Sequence, residues 1–210
     1  MSATRVLVLR HGQSEWNASG RWQGQADPPL TALGLEQAHI AGRLLTTECP
    51  SFDAVVSSDL QRAVHTADAI AELVGCEVRV SDRDWRENDA GEWQGLMASE
   101  IREQWPGWLE AGRRPPGFET PTSTWSRASR ALAAIHDRWP GGCVLVVSHG
   151  GVIRVLRQHL AGVDNRFPNL AGSWFESEPH PISPPQWRVG SLLFPLDLAA
   201  DDLRNSGAPE

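Results

Sequence analysis

Val6-Leu-Val-Leu-Arg-His-Gly12 decides the fold class: four aliphatic residues in unbroken succession, then a cation, an imidazole and a glycine. An apolar run without polar alternation suits a strand buried on both faces, and the Arg-His-Gly that follows suits a loop at its carboxyl end. Further on, Thr31 follows Pro28-Pro29 as a plausible N-cap, and Leu33, Ala38, Ala41, Leu44 and Leu45 recur near helical spacing. The same unit returns at Asp53–Ser57. There Ser58 or Asp59 is placed to cap a helix running through Leu73, with Ala63, Ala67, Ile70 and Leu73 on its apolar face. A short strand at Glu77–Val80 leads into a Trp-, Gly- and Pro-containing region. A helix over about Thr122 to Trp139 follows, then the most apolar strand, Cys143–Val147, and Gly150-Gly151 opens a helix through Leu160. Ser173–Ser177 and Trp187–Leu193 read as two further strands joined by a Pro-rich loop. The pattern predicts an α/β protein, a three-layer α/β/α sandwich around a mainly parallel, mixed sheet. One domain spans residues 1–198, and 199–210, with little to bury, reads as a flexible tail.

The 210 residues, 40% hydrophobic and 21% charged, exclude a disordered, collagen-like or multi-span membrane chain. A formal charge of -7 argues against nucleic acid as a partner, because a duplex-binding surface is net basic. All 19 basic residues are Arg, so Schiff-base and Walker-type lysine chemistry is ruled out. Cys49, Cys76 and Cys143 are odd in number and unpaired in spacing, which suits reduced core residues in the cytoplasm. The N-terminal apolar run is cut short at Arg10 and His11, too early for a signal peptide, and no stretch approaches a membrane span.

In open α/β sheets reactive groups gather beyond the carboxyl ends of the strands. Arg10 and His11 follow the first strand, Arg62 lies one turn into the helix after the second, Glu87 follows the third, and His149 follows Cys143–Val147. A metal site fits this set poorly, since Arg10 and Arg62 repel a divalent cation. A phosphoryl group fits it well, because guanidinium grips phosphate oxygens through paired N–H donors.

Several motifs carry a resemblance: Leu7-Val-Leu-Arg-His-Gly-Gln-Ser-Glu-Trp-Asn17, Gln23-Gly-Gln25 before Pro29-Leu-Thr31, Ser57-Ser-Asp-Leu-Gln-Arg-Ala63, Arg86-Glu87 before Gly91-Glu-Trp-Gln-Gly95, and Ser148-His-Gly-Gly151. In this order they resemble the histidine phosphatase superfamily, also called the phosphoglycerate mutase-like family. The resemblance implies that His11 attacks phosphorus and becomes a phosphohistidine, while Arg10, Arg62 and His149 hold the transferring oxygens. It makes Glu87 the group that protonates the leaving oxygen and then activates water. Asn17, Gln23 and Gly24 would bond the phosphoryl group, and Gly150 would line the same pocket. Residues 88–121 would form a cap over the site, in which Arg113 and Arg114 face an anionic substrate tail or solvent. No metal or other cofactor is expected, because fixed guanidiniums supply the charge. Ser14 caps a turn or contacts substrate, and His39, His65, His136 and His159 read as surface or packing residues on helices. Most of the ten tryptophans read as packing, with one or two shaping the pocket.

The implied activity is hydrolysis of a small phosphorylated metabolite, a sugar phosphate or a phosphoglycerate derivative. Two other functions stand beside it. A cofactor-dependent phosphoglycerate mutase is opposed by Ala90 and Ala98, where resembling mutases carry Tyr and Lys, and kept in play by Arg113-Arg114. Pro115-Pro-Gly-Phe-Glu-Thr120 looks more like the phosphatases of the family. A non-catalytic phosphate-binding relative would be expected to lack one of the five reactive residues, all of which are retained here. The late strands offer an edge to which a second copy of the chain can pair.

Overall fold

The computed structural model describes residues 2–48, 51–178 and 185–198. Six strands form one sheet: β1 (Arg5–Arg10), β2 (Ala54–Ser57), β3 (Arg79–Ser81), β4 (Cys143–Ser148), β5 (Gly172–Ser177) and β6 (Trp187–Leu193). Their order is β3-β2-β4-β1-β5-β6. β3, β2, β4 and β1 run parallel, and β5 and β6 add an antiparallel edge. β4 and β1 lie side by side in the middle, with Arg10 paired in register to Ser148, so the loops carrying His11 and His149 leave the sheet together.

The unbroken apolar run of β1 is explained by helices on both faces. Leu7, Leu9, Leu145 and Val147 point to one side, where they meet α2 (Ala32–Glu48) and α3 (Gln61–Val74) through Ala38, Leu45, Ala63 and Ile70. Val6, Val8, Val144 and Val146 point to the other, against α5 (Pro121–Arg138) and α6 (Gly150–Ala161) through Ala128, Leu132, Ile153 and Leu156. Alternation of Cβ direction along a strand sends successive residues to opposite cores, so both must be apolar.

Two further helices belong to loops: α1 (Glu15–Ala18), after the β1 loop, and α4 (Ala98–Gln104), inside residues 88–121. That segment has a small core of its own. Trp93 and Ile101 are fully buried with Trp22, and Trp105, Trp108 and Phe118 pack around them. Trp93 meets Trp22 edge-on at 5.3 Å between centroids and Phe118 at 6.2 Å. Such aromatic pairs add about 0.5–1.5 kcal/mol each beyond their buried area.

Local details depart from the sequence reading. Neither Ser58 nor Asp59 caps α3, whose N-cap is Leu60 with no side-chain bond. Ser58 Oγ accepts from Leu60 N–H at 3.3 Å, and Asp59 is engaged instead by Arg86, whose Nε and Nη2 donate at 2.6 and 2.7 Å. That guanidinium holds the Asp59 carboxyl below its ordinary value. The third strand begins two residues later than expected. Cys76 and Cys143 are free thiols. Cys49, His180, most of the Pro-rich 178–185 loop and the 199–210 tail lie outside the described residues. Among those described, no helix is long and apolar enough to cross a membrane.

Candidate active site

The β1 loop is pinned from every side. His11 N–H donates to Ser148 O at 3.0 Å, Gly12 N–H to Thr66 Oγ1 at 3.0 Å, and the Asn169 amide donates to His11 O at 2.9 Å. Gly12 has no room for a side chain, since a Cβ there would sit 2.3 Å from Gly34 O. Ser14 settles as a cap: its Oγ accepts from Asn17 N–H at 3.2 Å and its hydroxyl donates to Gln23 Oε1 at 2.6 Å. Asn17 and Gln23 are thereby fixed relative to His11.

The neighbours of the two imidazoles define their proton positions. His11 Nδ1 lies 2.6 Å from Gly12 O, and a carbonyl only accepts, so Nδ1 carries the proton and Nε2 the lone pair. Arg62 Nε donates to that Nε2 at 3.2 Å. Arg62 Nη2 lies 3.3 Å from His149 Nδ1. Because guanidinium only donates, Nδ1 of His149 is the acceptor and its Nε2 bears the proton. Among the described residues that buried Nε2–H has no hydrogen-bond partner. Burial first, and then the charges of Arg62 and Arg10, hold His11 well below 6.5. Burial and Arg62 likewise hold His149 well below 6.5. Both rings are therefore neutral at pH 7.

Arg62 is fully buried and also donates to Ala26 O at 2.7 Å and Gly24 O at 3.0 Å, which fixes the loop before α2. Arg10 is buried, with Nη1 on Phe167 O at 2.7 Å. Glu87 completes the set. Its Oε1 accepts from Asn88 N–H at 2.7 Å and its Oε2 from Gly151 N–H at 3.1 Å, at the start of α6. The other acids nearby in sequence are placed elsewhere: Asp84 pairs with Arg130, Asp89 accepts from Gly91 N–H, and Glu92 is exposed.

His11, Arg62 and Glu87 border a cavity of about 380 Å³. His11, Asn17, Gln23, Gly24, Arg62 and Glu87 form its inner wall; Trp22, Ala90, Arg114, Phe118 and Thr120 face them, and α6 adds Gly151, Arg154 and Gln158. Arg10 and His149 lie buried behind that wall, the His149 ring 5.1 Å from that of His11. Among the described residues no cluster of His, Cys, Asp and Glu could hold a metal ion.

The family model of the histidine phosphatase superfamily (branch 1) matches residues 6–173. The chain belongs to that superfamily. A glucosyl-3-phosphoglycerate phosphatase of Mycolicibacterium vanbaalenii is 37% identical over 201 residues, 86% of each chain. A 2,3-bisphosphoglycerate-dependent phosphoglycerate mutase of Methylorubrum extorquens is 36% identical over 173 residues, 77% of this chain and 82% of the other. The solved mycobacterial glucosyl-3-phosphoglycerate phosphatase in complex with VO3 superposes with a TM-score of 0.75 at 32% identity, over 88% of this chain and 96% of that one. The histidine phosphatase is thus an enzyme of the phosphatase class with a phosphoglycerate mutase-like fold.

Two sequence expectations are corrected by geometry. Gly150 is buried as the first residue of α6, and the neighbouring Gly151 lines the cavity in its place. Both arginines are exposed, but Arg113 stands outside the cavity, whereas Arg114 lines it and lies over the rings of Trp22, Trp93 and Phe118 at 5.9, 5.5 and 5.3 Å. Three ring faces converge on one guanidinium, so only one of the pair is drawn inward. Asn88, Gly151, Arg154, Gln158 and Asn169 escaped the sequence reading, since single polar residues or a second glycine in a pair give no periodic signal.

Gly151 offers a direct test of whether the placement of the Glu87 carboxylate matters. A Cβ there would sit 2.4 Å from Glu87 Oε1, and the side-chain end, not the backbone, gives way. Gly151→Ala is expected to keep its circular dichroism spectrum and melting temperature while kcat falls about 10- to 100-fold if the Glu87 carboxylate takes part in proton transfer. Unchanged kcat would show that this carboxylate position is irrelevant to turnover.

Proposed function

We propose that this enzyme is a metal-independent phosphomonoesterase that releases phosphate from a small phosphorylated metabolite through a phosphohistidine on His11. One observation carries the reading. One guanidinium, that of Arg62, bonds both the Nε2 lone pair of a neutral, buried His11 and Nδ1 of His149, which leaves the Nε2–H of His149 without a partner among the described residues, beside an open cavity that His11 and Arg62 line. That arrangement suits a nucleophile and its oxyanion donors awaiting a phosphoryl group.

His11 Nε2 attacks phosphorus in line; the N–P bond forms as the P–O bond to the leaving alcohol breaks. Glu87 gives its proton to that oxygen. Water then attacks the phosphohistidine, Glu87 takes its proton, and the N–P bond breaks to free phosphate and the neutral imidazole. Arg10, Arg62 and His149 hold the equatorial oxygens, with Asn17, Gln23 and Gly24 beside them, supplying the charge that a metal supplies elsewhere. Ala90 is a cavity residue with only a methyl group, which leaves space for the water that a mutase must exclude.

Arg114 makes no ion pair among the described residues, and partial desolvation of its guanidinium, followed by the Arg154 charge, lowers its pKa from the ordinary 12.5 although the residue is exposed. A cation so placed calls for an anionic group on the substrate. A phosphoglycerate derivative, the class named for the mycobacterial relatives, meets that need with its carboxylate. Free thiols at Cys76 and Cys143 suit a reducing cytoplasm.

The test is phosphate release from a panel of phosphomonoesters, with and without EDTA, beside isomerisation of 3-phosphoglycerate primed with 2,3-bisphosphoglycerate. Release that survives EDTA is expected; isomerisation without release would make the enzyme a mutase. In the same panel Arg114→Ala is expected to raise KM about 10-fold or more for carboxylate-bearing esters, as loss of a charged hydrogen bond does, and to leave phenyl phosphate nearly unaffected. An equal rise for both would remove Arg114 from recognition of a second anion.

A further inference from the structure

Arg127, one turn and a half into α5, is used by none of the chemistry above, yet all three nitrogens of its guanidinium donate hydrogen bonds beside Glu87. Its Nε and Nη2 donate to Glu119 Oε1 and Oε2 at 2.8 and 2.9 Å. Its Nη1 donates to two main-chain carbonyls, Asp84 O at 2.9 Å and Arg86 O. Both partners of the ion pair are only 12% exposed at their side chains, against 63% for the neighbouring Arg130 that pairs with Asp84.

The positions of these partners along the chain give the contact its meaning. Arg86 immediately precedes Glu87, and residues 88–121 fold over the cavity before the chain returns at Glu119. One guanidinium therefore holds the segment where the cap departs and the residue where it comes back. The two ends are also stitched directly: Glu119 N–H donates to Asp89 O at 2.9 Å, and Thr124 hydroxyl donates to Asn88 Oδ1 at 2.9 Å. Glu119 and Thr120 are themselves cavity residues. Closing a loop of this length on a single planar fork needs the fixed bidentate geometry that Arg has and Lys lacks.

We infer that Arg127 is a positioning residue for the reaction: it holds the backbone that carries Glu87 and fastens the cap to it, so that the acid and the substrate's leaving group meet in one geometry. A purely stabilising ion pair explains the contact to Glu119 but not the spending of Nη1 on the two carbonyls beside Trp85. The inference rests on the reading of Glu87 as the proton donor.

The experiment compares kcat/KM, which reports the steps up to phosphoryl transfer and not the shared hydrolysis of the phosphohistidine, for p-nitrophenyl phosphate, whose leaving group departs without a proton, and for 3-phosphoglycerate, whose alcohol needs one. Arg127→Gln, Arg127→Lys, Glu119→Gln and Glu87→Gln are assayed together, each corrected for folded fraction by circular dichroism. Arg127→Gln is expected to lose about 10- to 100-fold on the alkyl ester and less than about 3-fold on the nitrophenyl ester, the mark of a displaced general acid. Glu119→Gln, which keeps shape and one acceptor, is expected to shift in the same sense and less, and Arg127→Lys to recover part of the loss. If Arg127→Gln does not fold, the Lys and Glu119 variants decide alone by the same ratio. Equal losses on both esters in the Arg127 and Glu119 variants, with the split preserved in Glu87→Gln, would overturn the positioning role by itself. No split in Glu87→Gln would remove the acid from the reading and the inference with it.

Discussion

His11→Ala is expected to lose at least about 10⁴-fold in kcat/KM on every ester, because in the proposed mechanism the nucleophile and the covalent intermediate disappear together. The geometry makes this loss specific. Gly12 O fixes the proton on Nδ1, and Arg62 orients the Nε2 lone pair at the cavity wall. Substrate quenched in acid-free denaturant is expected to leave a base-stable, acid-labile phosphoryl group on the wild-type protein and none on the variant; a labelled variant would place the nucleophile elsewhere. The same residue sets a pH dependence. Burial, Arg62 and Arg10 hold folded His11 well below 6.5, so it remains a competent nucleophile as pH falls through the ordinary histidine range. The unfolded chain, however, takes up protons near 6.5 that the folded His11 and His149 refuse. Stability of the ligand-free enzyme is therefore full above about pH 6.5 and declines as pH drops below it. His11→Ala is expected to make that decline shallower in urea titrations between pH 7 and 5. An unchanged slope would mean that His11 titrates normally in the fold.

What the sequence makes legible follows from what each signal encodes. Val6–Leu9 and Cys143–Val147 are readable as central strands because burial on both faces leaves no polar alternation. Arg10, His11, Arg62, Glu87 and His149 are readable because a polar group at a strand's carboxyl end has no packing reason to be there. The fold does bring these five together. The α3 cap was illegible: Asp59 has the right chemistry for a cap, and a guanidinium 27 residues away, Arg86, outcompetes the local backbone for it. Arg113 and Arg114 are indistinguishable in sequence, and only the convergence of Trp22, Trp93 and Phe118 from three parts of the chain separates them. Asn169 was missed for the same reason, since its bond to His11 O spans 158 positions. Pairwise choices among distant partners are made by tertiary packing, which leaves no period in the sequence.

Arg62→Met is expected to be nearly as damaging as loss of the nucleophile, with kcat/KM down about 10³-fold or more, because a fixed guanidinium on a transferring phosphoryl group carries much of the charge stabilisation. Methionine approximates the length and apolar stem and removes every donor. Arg62 is unlike an ordinary oxyanion donor in touching both imidazoles and two carbonyls of the Gln23–Ala26 loop, those of Gly24 and Ala26. Three consequences separate from one another. The carbonyls of Gly24 and Ala26 lose their donor, and each unmet buried acceptor costs about 1–3 kcal/mol, so the melting temperature falls. The second-largest cause depressing His11 is also removed, so His11 titrates nearer 6.5 and the acid limb of kcat/KM moves to higher pH. The rate loss itself persists at pH values where His11 is neutral in both proteins, since protonation no longer explains it there. A variant that melts lower but turns over normally once corrected for folded fraction would reduce Arg62 to a structural tie. Arg62→Lys distinguishes charge from fork: one ammonium restores the acid limb by repelling the imidazolium, but it cannot bond Gly24 O, Ala26 O and the phosphoryl oxygens together, so most of the rate loss should remain.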